Sequence, residues 1–118
     1  MSALEGTSRY RSKLIRRMKD VASIIIRIRE LTALHNIDEC AMFMVCAKCH
    51  LILQLFQDVA SIISENFDDT TLEMLTSVYL HIGRAPNHQV EECIDHFLSD
   101  VEEVCHKVQS VYQLPIPA

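Results

Sequence analysis

Glycine and proline are scarce in this chain: two of one and three of the other in 118 residues. Sandwiches and barrels need a turn about every 8–12 residues, usually built on Gly, Pro, Asn or Asp. Long stretches here lack that punctuation, so the expected fold class is all-α. Paired cysteines in loop-rich sequence are also missing. The five present, Cys40, Cys46, Cys49, Cys93 and Cys105, are an odd number and all fall in expected helices. There is no Asn-X-Ser/Thr sequon, since Asn36, Asn66 and Asn87 are followed two places on by Asp, Asp and Gln. These absences argue against a secreted disulfide scaffold and for a reducing compartment, cytoplasmic or nuclear.

Long hydrophobic runs are lacking too. Basic residues up to Lys19 precede Val21–Ile26, but that apolar run ends at Arg27 with no small-residue cleavage site after it. The run Cys40–Phe56 contains Lys48, His50 and Gln54 and reads as too short and too polar to span a bilayer. The closing Leu-Pro-Ile-Pro-Ala matches no lipidation motif. No membrane association is expected. Catalytic patterns are equally sparse: there is no Ser/His/Asp grouping, Gly-rich phosphate loop or H-E-x-x-H. The six histidines are scattered singly. The expectation is a non-enzymatic protein with no catalytic residues, cofactor or metal.

What is present is helical periodicity. Val90, Ile94, Phe97, Val101, Val104, Val108 and Val111 alternate spacings of four and three, an unbroken heptad seam. Between them lie Glu91, Glu92, Asp95, Asp100, Glu102, Glu103 and Lys107, a wet outer face. A first helix is predicted from Ser8 as N-cap to about His35, with Leu14, Met18, Val21, Ile25 and Ile28 in the same rhythm and Ile24, Ile26 and Leu31 widening the stripe. A second is predicted over about 37–64, with Asn36 and Glu39 as a capping box. It is apolar nearly all round, which marks a buried central helix and predicts that Phe43, Leu51, Leu55 and Phe56 are inaccessible. A short third helix, about 70–82, opens on the Thr70/Glu73 box and stops at Gly83. The fourth runs over about 87–113, ended by Pro115 and Pro117.

The expected architecture is one domain, 1–118, with frayed tails at 1–7 and 114–118. It is an antiparallel four-helix bundle of two long N-terminal helices, a short third and a long heptad-patterned fourth. Because the third helix is about half as long as its neighbours, the end of the fourth should overshoot it. Val101, Val104, Val108, Val111 and Tyr112 are then the candidate partner interface, the alternative being oblique crossing that keeps the seam internal.

Two cysteine constellations invite chemistry. Cys46-Ala-Lys-Cys49-His50 is a literal C-x-x-C-H, the haem-attachment pattern. It lies mid-helix in the most buried element, with no export signal, so packed thiols are the better reading. Cys46/Cys49 with Cys93/His96 would make a Cys₃His zinc set. The seam through Ile94 and Phe97 leaves His96 on the outer side, so the pairs should not converge.

Charge is unevenly spread. Residues 1–29 carry eight basic and two acidic side chains, and residues 30–118 three basic and fourteen acidic. Arg9, Lys13, Arg16 and Arg17 make a basic face at the start of the first helix, suited to phosphate or an acidic partner. The competing reading is an internal match with Glu65, Asp68, Asp69 and Glu73. The functional expectation is a protein–protein interaction bundle of adaptor or scaffold type that self-associates, binding a protein partner, further copies of itself, or both. The alternative is a nucleic-acid-binding bundle working through the basic face.

Overall fold

The computed structural model describes residues 3–33, 38–63 and 69–114, with only the backbone described for 3–9 and 87. Four α-helices follow one another: α1 (Ala3–Thr32), α2 (Glu39–Ile62), α3 (Asp69–Arg84) and α4 (Val90–Tyr112), the last preceded by a 3₁₀ turn at Asn87–Gln89. There is no strand among the described residues. The whole is elongated, with extents of 54 × 28 × 20 Å.

The helices form an antiparallel bundle. Thr71 and Met74 near the start of α3 share a groove with Val104 and Val108 near the end of α4, whereas Val78 and His81 lie beside Cys93 and His96. Arg11 reaches the carbonyls of Tyr112 and Gln113, and Arg29 pairs with Glu102. Arg17, in the first half of α1, pairs with Asp58 near the end of α2, the antiparallel arrangement that a link of only six residues between the two helices favours. Sequential helices pack most closely on each other, and α1 meets α4 more lightly.

The heptad logic accounts for the core. Leu14, Met18, Val21, Ile25 and Ile28 of α1 are buried, as are Val90, Ile94, Phe97, Leu98, Val101, Val104 and Val108 of α4. Ile26 departs from the expected widening of the α1 stripe and is 54 % exposed. Two residues beyond Ile24 and one beyond Ile25, it sits on the far side of the turn.

The helix ends differ from the sequence expectation at several points. α1 begins at Ala3, so Ser8 lies inside it, and 3–7 are not a frayed tail. Ala3, Leu4 and Glu5 are strong helix formers and extend the helix past the expected cap. α2 is capped by Asp38, whose Oδ1 accepts from the Ala41 N–H at 2.8 Å, while Asn36 lies outside the described residues. α3 starts at Asp69, which places Thr70 within the helix, and continues through Gly83 to Arg84. Nothing lies within 4 Å of where a Cβ on Gly83 would be, and its φ is not positive, so it acts as an ordinary exposed helical residue. α4 ends in a Schellman-type turn. Gln113 adopts φ 52°, and the Leu114 N–H donates to the Gln109 carbonyl at 2.9 Å. Leu114 folds back and is buried. Pro115 and Pro117 lie outside the described residues.

Candidate interaction surface

α2 is buried along one side only. Val45, Cys49, Ile52, Leu53, Leu55, Phe56 and Val59 face the core, but Phe43 is 76 % exposed, Leu51 44 % and Met44 41 %. The expectation that Phe43 and Leu51 are inaccessible is therefore corrected, while Leu55 and Phe56 are buried as expected. The reason is geometric. A helix in a four-helix bundle has two adjacent neighbours and one diagonal one, and roughly a third of its circumference faces outward whatever its sequence. An all-round apolar pattern thus leaves an apolar strip in the open.

That strip is confined to the first half of α2. Cys40, Phe43, Met44, Ala47, His50 and Leu51 are all exposed, following the three- and four-residue spacing of one helical face. Beyond Leu51 the exposed positions become Gln54, Gln57, Asp58 and Ser61. Between Glu39 and Asp58 the only charged side chain is Lys48. By length and composition α2 is the one described helix sufficient to cross a bilayer, since it continues past the Cys40–Phe56 run to Ile62; 33 % of its most apolar stretch is buried inside the bundle.

The valines proposed from the seam lie elsewhere. Val101, Val104 and Val108 are 0 %, 7 % and 4 % exposed, Tyr112 is half-buried, and only Val111 stands out at 51 %. The first three are core residues of the monomer and are not a surface. α3 has 16 residues and α4 has 23, about 24 and 35 Å, so the overshoot is roughly two turns. Arg11 caps its carbonyls from α1, at 3.0 and 2.8 Å, and Leu114 closes beneath it. A cation at a helix C-terminus also complements the partial negative charge there.

The basic face is partly spent within the chain. Arg17 lies 3.5 Å from Asp58 and 3.9 Å from Asp20, while Lys13 and Arg16 are exposed. The side chain of Arg9 lies outside the described residues, as do Glu65 and Asp68 of the anticipated acidic match. The match found uses Asp58 of α2, seven residues before the expected connector begins at Glu65.

The cysteines do not gather into a site. Cys49 is buried, Cys46 is half-buried, and His50 points outward with its ring 6.0 Å from that of Tyr79. The three members of the C-x-x-C-H pattern are thus divided between the core, its margin and the surface. Cys93 and His96 line a groove of about 480 Å³ with Ser77, Val78, His81 and Glu92, and His96 Nε2 sits 3.3 Å from Asp100. Among the described residues no three His, Cys, Asp or Glu side chains converge in a way that would hold a metal ion.

Burial pushes the Cys49 thiol up to about 12, with Cys46 adding to the effect. Burial likewise pushes Cys105 up to about 12, helped by the Glu102 carboxylate. Because the folded state holds these protons more tightly than the unfolded chain, stability is constant below about pH 9 and falls as pH rises from there toward 12. Thermal melts in reductant should show that alkaline decline, and Cys105→Ala should flatten it. At pH 8 a thiol-alkylating reagent should modify exposed Cys40 well before Cys49 or Cys105, read by peptide mass spectrometry.

Compared with family models, curated proteins and solved structures, the chain matches none.

Proposed function

We propose that this chain is a non-enzymatic protein–protein interaction module, a helical bundle of adaptor type, whose contact surface is the first half of the outer face of α2. The observation that supports this reading is the exposure of Phe43, at 76 %, beside Met44 and Leu51. These three present on the order of 300 Å² of apolar surface, within the range of the largest patch on a typical monomer, which is often functional. Covering it gains on the order of 7 kcal/mol before the costs of association. Aromatic and Met side chains are also the types enriched at the centres of interfaces.

The basic face supports the nucleic-acid reading less well. Of its members Arg17 is engaged with the chain itself, and a formal net charge of −5 opposes the phosphate backbone.

Phe43→Glu combined with Leu51→Glu tests the proposal. Both positions are exposed, so helicity and melting should change little, whereas the protein partners of the unmodified chain, further copies included, should be lost. Quantitative co-purification of the two forms from the native cell, read by mass spectrometry, makes the comparison. If the variant keeps the same partners and the same mass in solution, α2 is not the contact surface.

A further inference from the structure

We infer that the occupant of the α2 face is a second copy of the same chain, docked with its α2 antiparallel to the first and the two-fold axis passing at Ala47. The inference rests on the proposal that this face is a contact surface and adds what covers it and in which register.

The face is self-complementary about Ala47. Phe43 lies four residues before it and Leu51 four after, Met44 and His50 stand three away on either side, and Cys40 and Gln54 seven away. All seven positions are exposed. In a two-fold antiparallel pair centred on 47, Phe43 packs against Leu51 of the second copy and Leu51 against its Phe43, while Met44 lies against its His50. The centre is occupied by an alanine, so the axes can approach to about 8 Å, the close end of helix packing. A two-fold contact uses the same patch on both subunits, and a large–small–large strip meets that requirement without any other surface.

Charge permits the approach. Two copies of a chain with net charge −5 repel where the acidic surfaces of residues 30–118 face each other. Along this strip they do not, because no carboxylate lies between Glu39 and Asp58. An anionic bilayer gains nothing comparable: interfacial helices flank their apolar face with several Lys and Arg, and α2 offers Lys48 alone.

The area is sufficient. The strip and its polar rim contribute roughly 500–600 Å² per copy, so the pair buries about 1,000–1,200 Å², the lower limit for a specific interface. A contact of that size lies at the weak, transient end of specific interfaces, so the expected state is a monomer–dimer equilibrium.

Sedimentation equilibrium of the full chain in reductant, from about 1 to 200 µM, should show mass rising from one chain to two. Leu51→Glu should weaken that association at least 30-fold with helicity unchanged. Cysteine cross-linking tests the register independently of any disruptive substitution. Ala47→Cys in a Cys40→Ser background should give a covalent dimer on mild oxidation. Gln54→Cys should cross-link to native Cys40 of the second copy, and Cys40→Ser should abolish that product. A chain that stays monomeric at 200 µM, or that sediments with anionic vesicles while monomeric, overturns the inference. So does a dimer that Leu51→Glu leaves intact. Cross-linking of Cys40 to Cys40 in the unmodified chain would mean parallel pairing and also overturn it. If the chain is monomeric yet loses other protein partners in the Phe43/Leu51 double variant, the second copy is wrong and the contact surface stands.

Discussion

Replacing Val104 and Val108 together with Asp should unfold the protein outright. Both valines are buried, at 7 % and 4 % exposure, between α4 and its neighbours. Each substitution gives up about 1.5–3 kcal/mol of apolar burial and forces a carboxylate to be desolvated unpaired or protonated. The combined loss exceeds about 5 kcal/mol, the lower bound of a typical domain's stability. Circular dichroism should show the helical signal lost at 25 °C. Val111→Asp is the matched control on the same helix. At 51 % exposure it should shift stability by no more than about 0.5 kcal/mol. A Val104/Val108 double variant that stays folded, and merely dissociates an assembly, would return the seam to the surface.

Two phenylalanines of one helix should behave in opposite ways. Phe56→Ala removes a ring with no exposure and should cost about 3–5 kcal/mol. Phe43→Ala trims a ring that is 76 % exposed and should move stability by less than about 0.5 kcal/mol when measured well below any association. The residues are thirteen apart, which turns them about 220° around the helix and places them on opposite sides. Urea denaturation of both variants at low micromolar concentration gives the comparison. Equal losses would mean that α2 is enclosed on both sides.

The places where sequence reasoning fell short share a cause. Spacing reports which residues lie on one face of a helix, and the buried faces of α1 and α4 were legible for that reason: Leu14 through Ile28 and Val90 through Val108 are core residues in the order their heptads prescribe. α2 has no contrast between its sides. Composition alone could not say that Val45, Cys49, Ile52 and Phe56 would turn inward while Phe43, Met44 and Leu51 stayed outside. A weak signal existed in the outward positions beyond Leu51, where Gln54, Gln57, Asp58 and Ser61 trace one polar stripe. Extending that stripe backwards by threes and fours lands on Leu51, Ala47 and Phe43. The seam misled for a related reason. A heptad pattern states that a helix must be covered, and the identity of the cover depends on lengths set by helix ends, several of which fell two to five residues from their expected places.

The sequence by itself determined the class and the pairing rule: scarce Gly and Pro, four runs of helical period, and short links that make consecutive helices neighbours. It also settled that the seam of α4 would be dry along most of its length, because valine and phenylalanine at every three and four residues have no stable place in water. The tertiary structure alone decided which molecule keeps it dry. Val104 and Val108 are covered within the chain because the start of α3, at Thr71 and Met74, lies beside them and the start of α1 reaches the end of α4 through Arg11. It decided as well that the apolar surplus would fall on α2, since four packed helices leave each of them one face outward and the first half of that face on α2 carries Phe43, Met44 and Leu51 with His50 as its one strongly polar side chain.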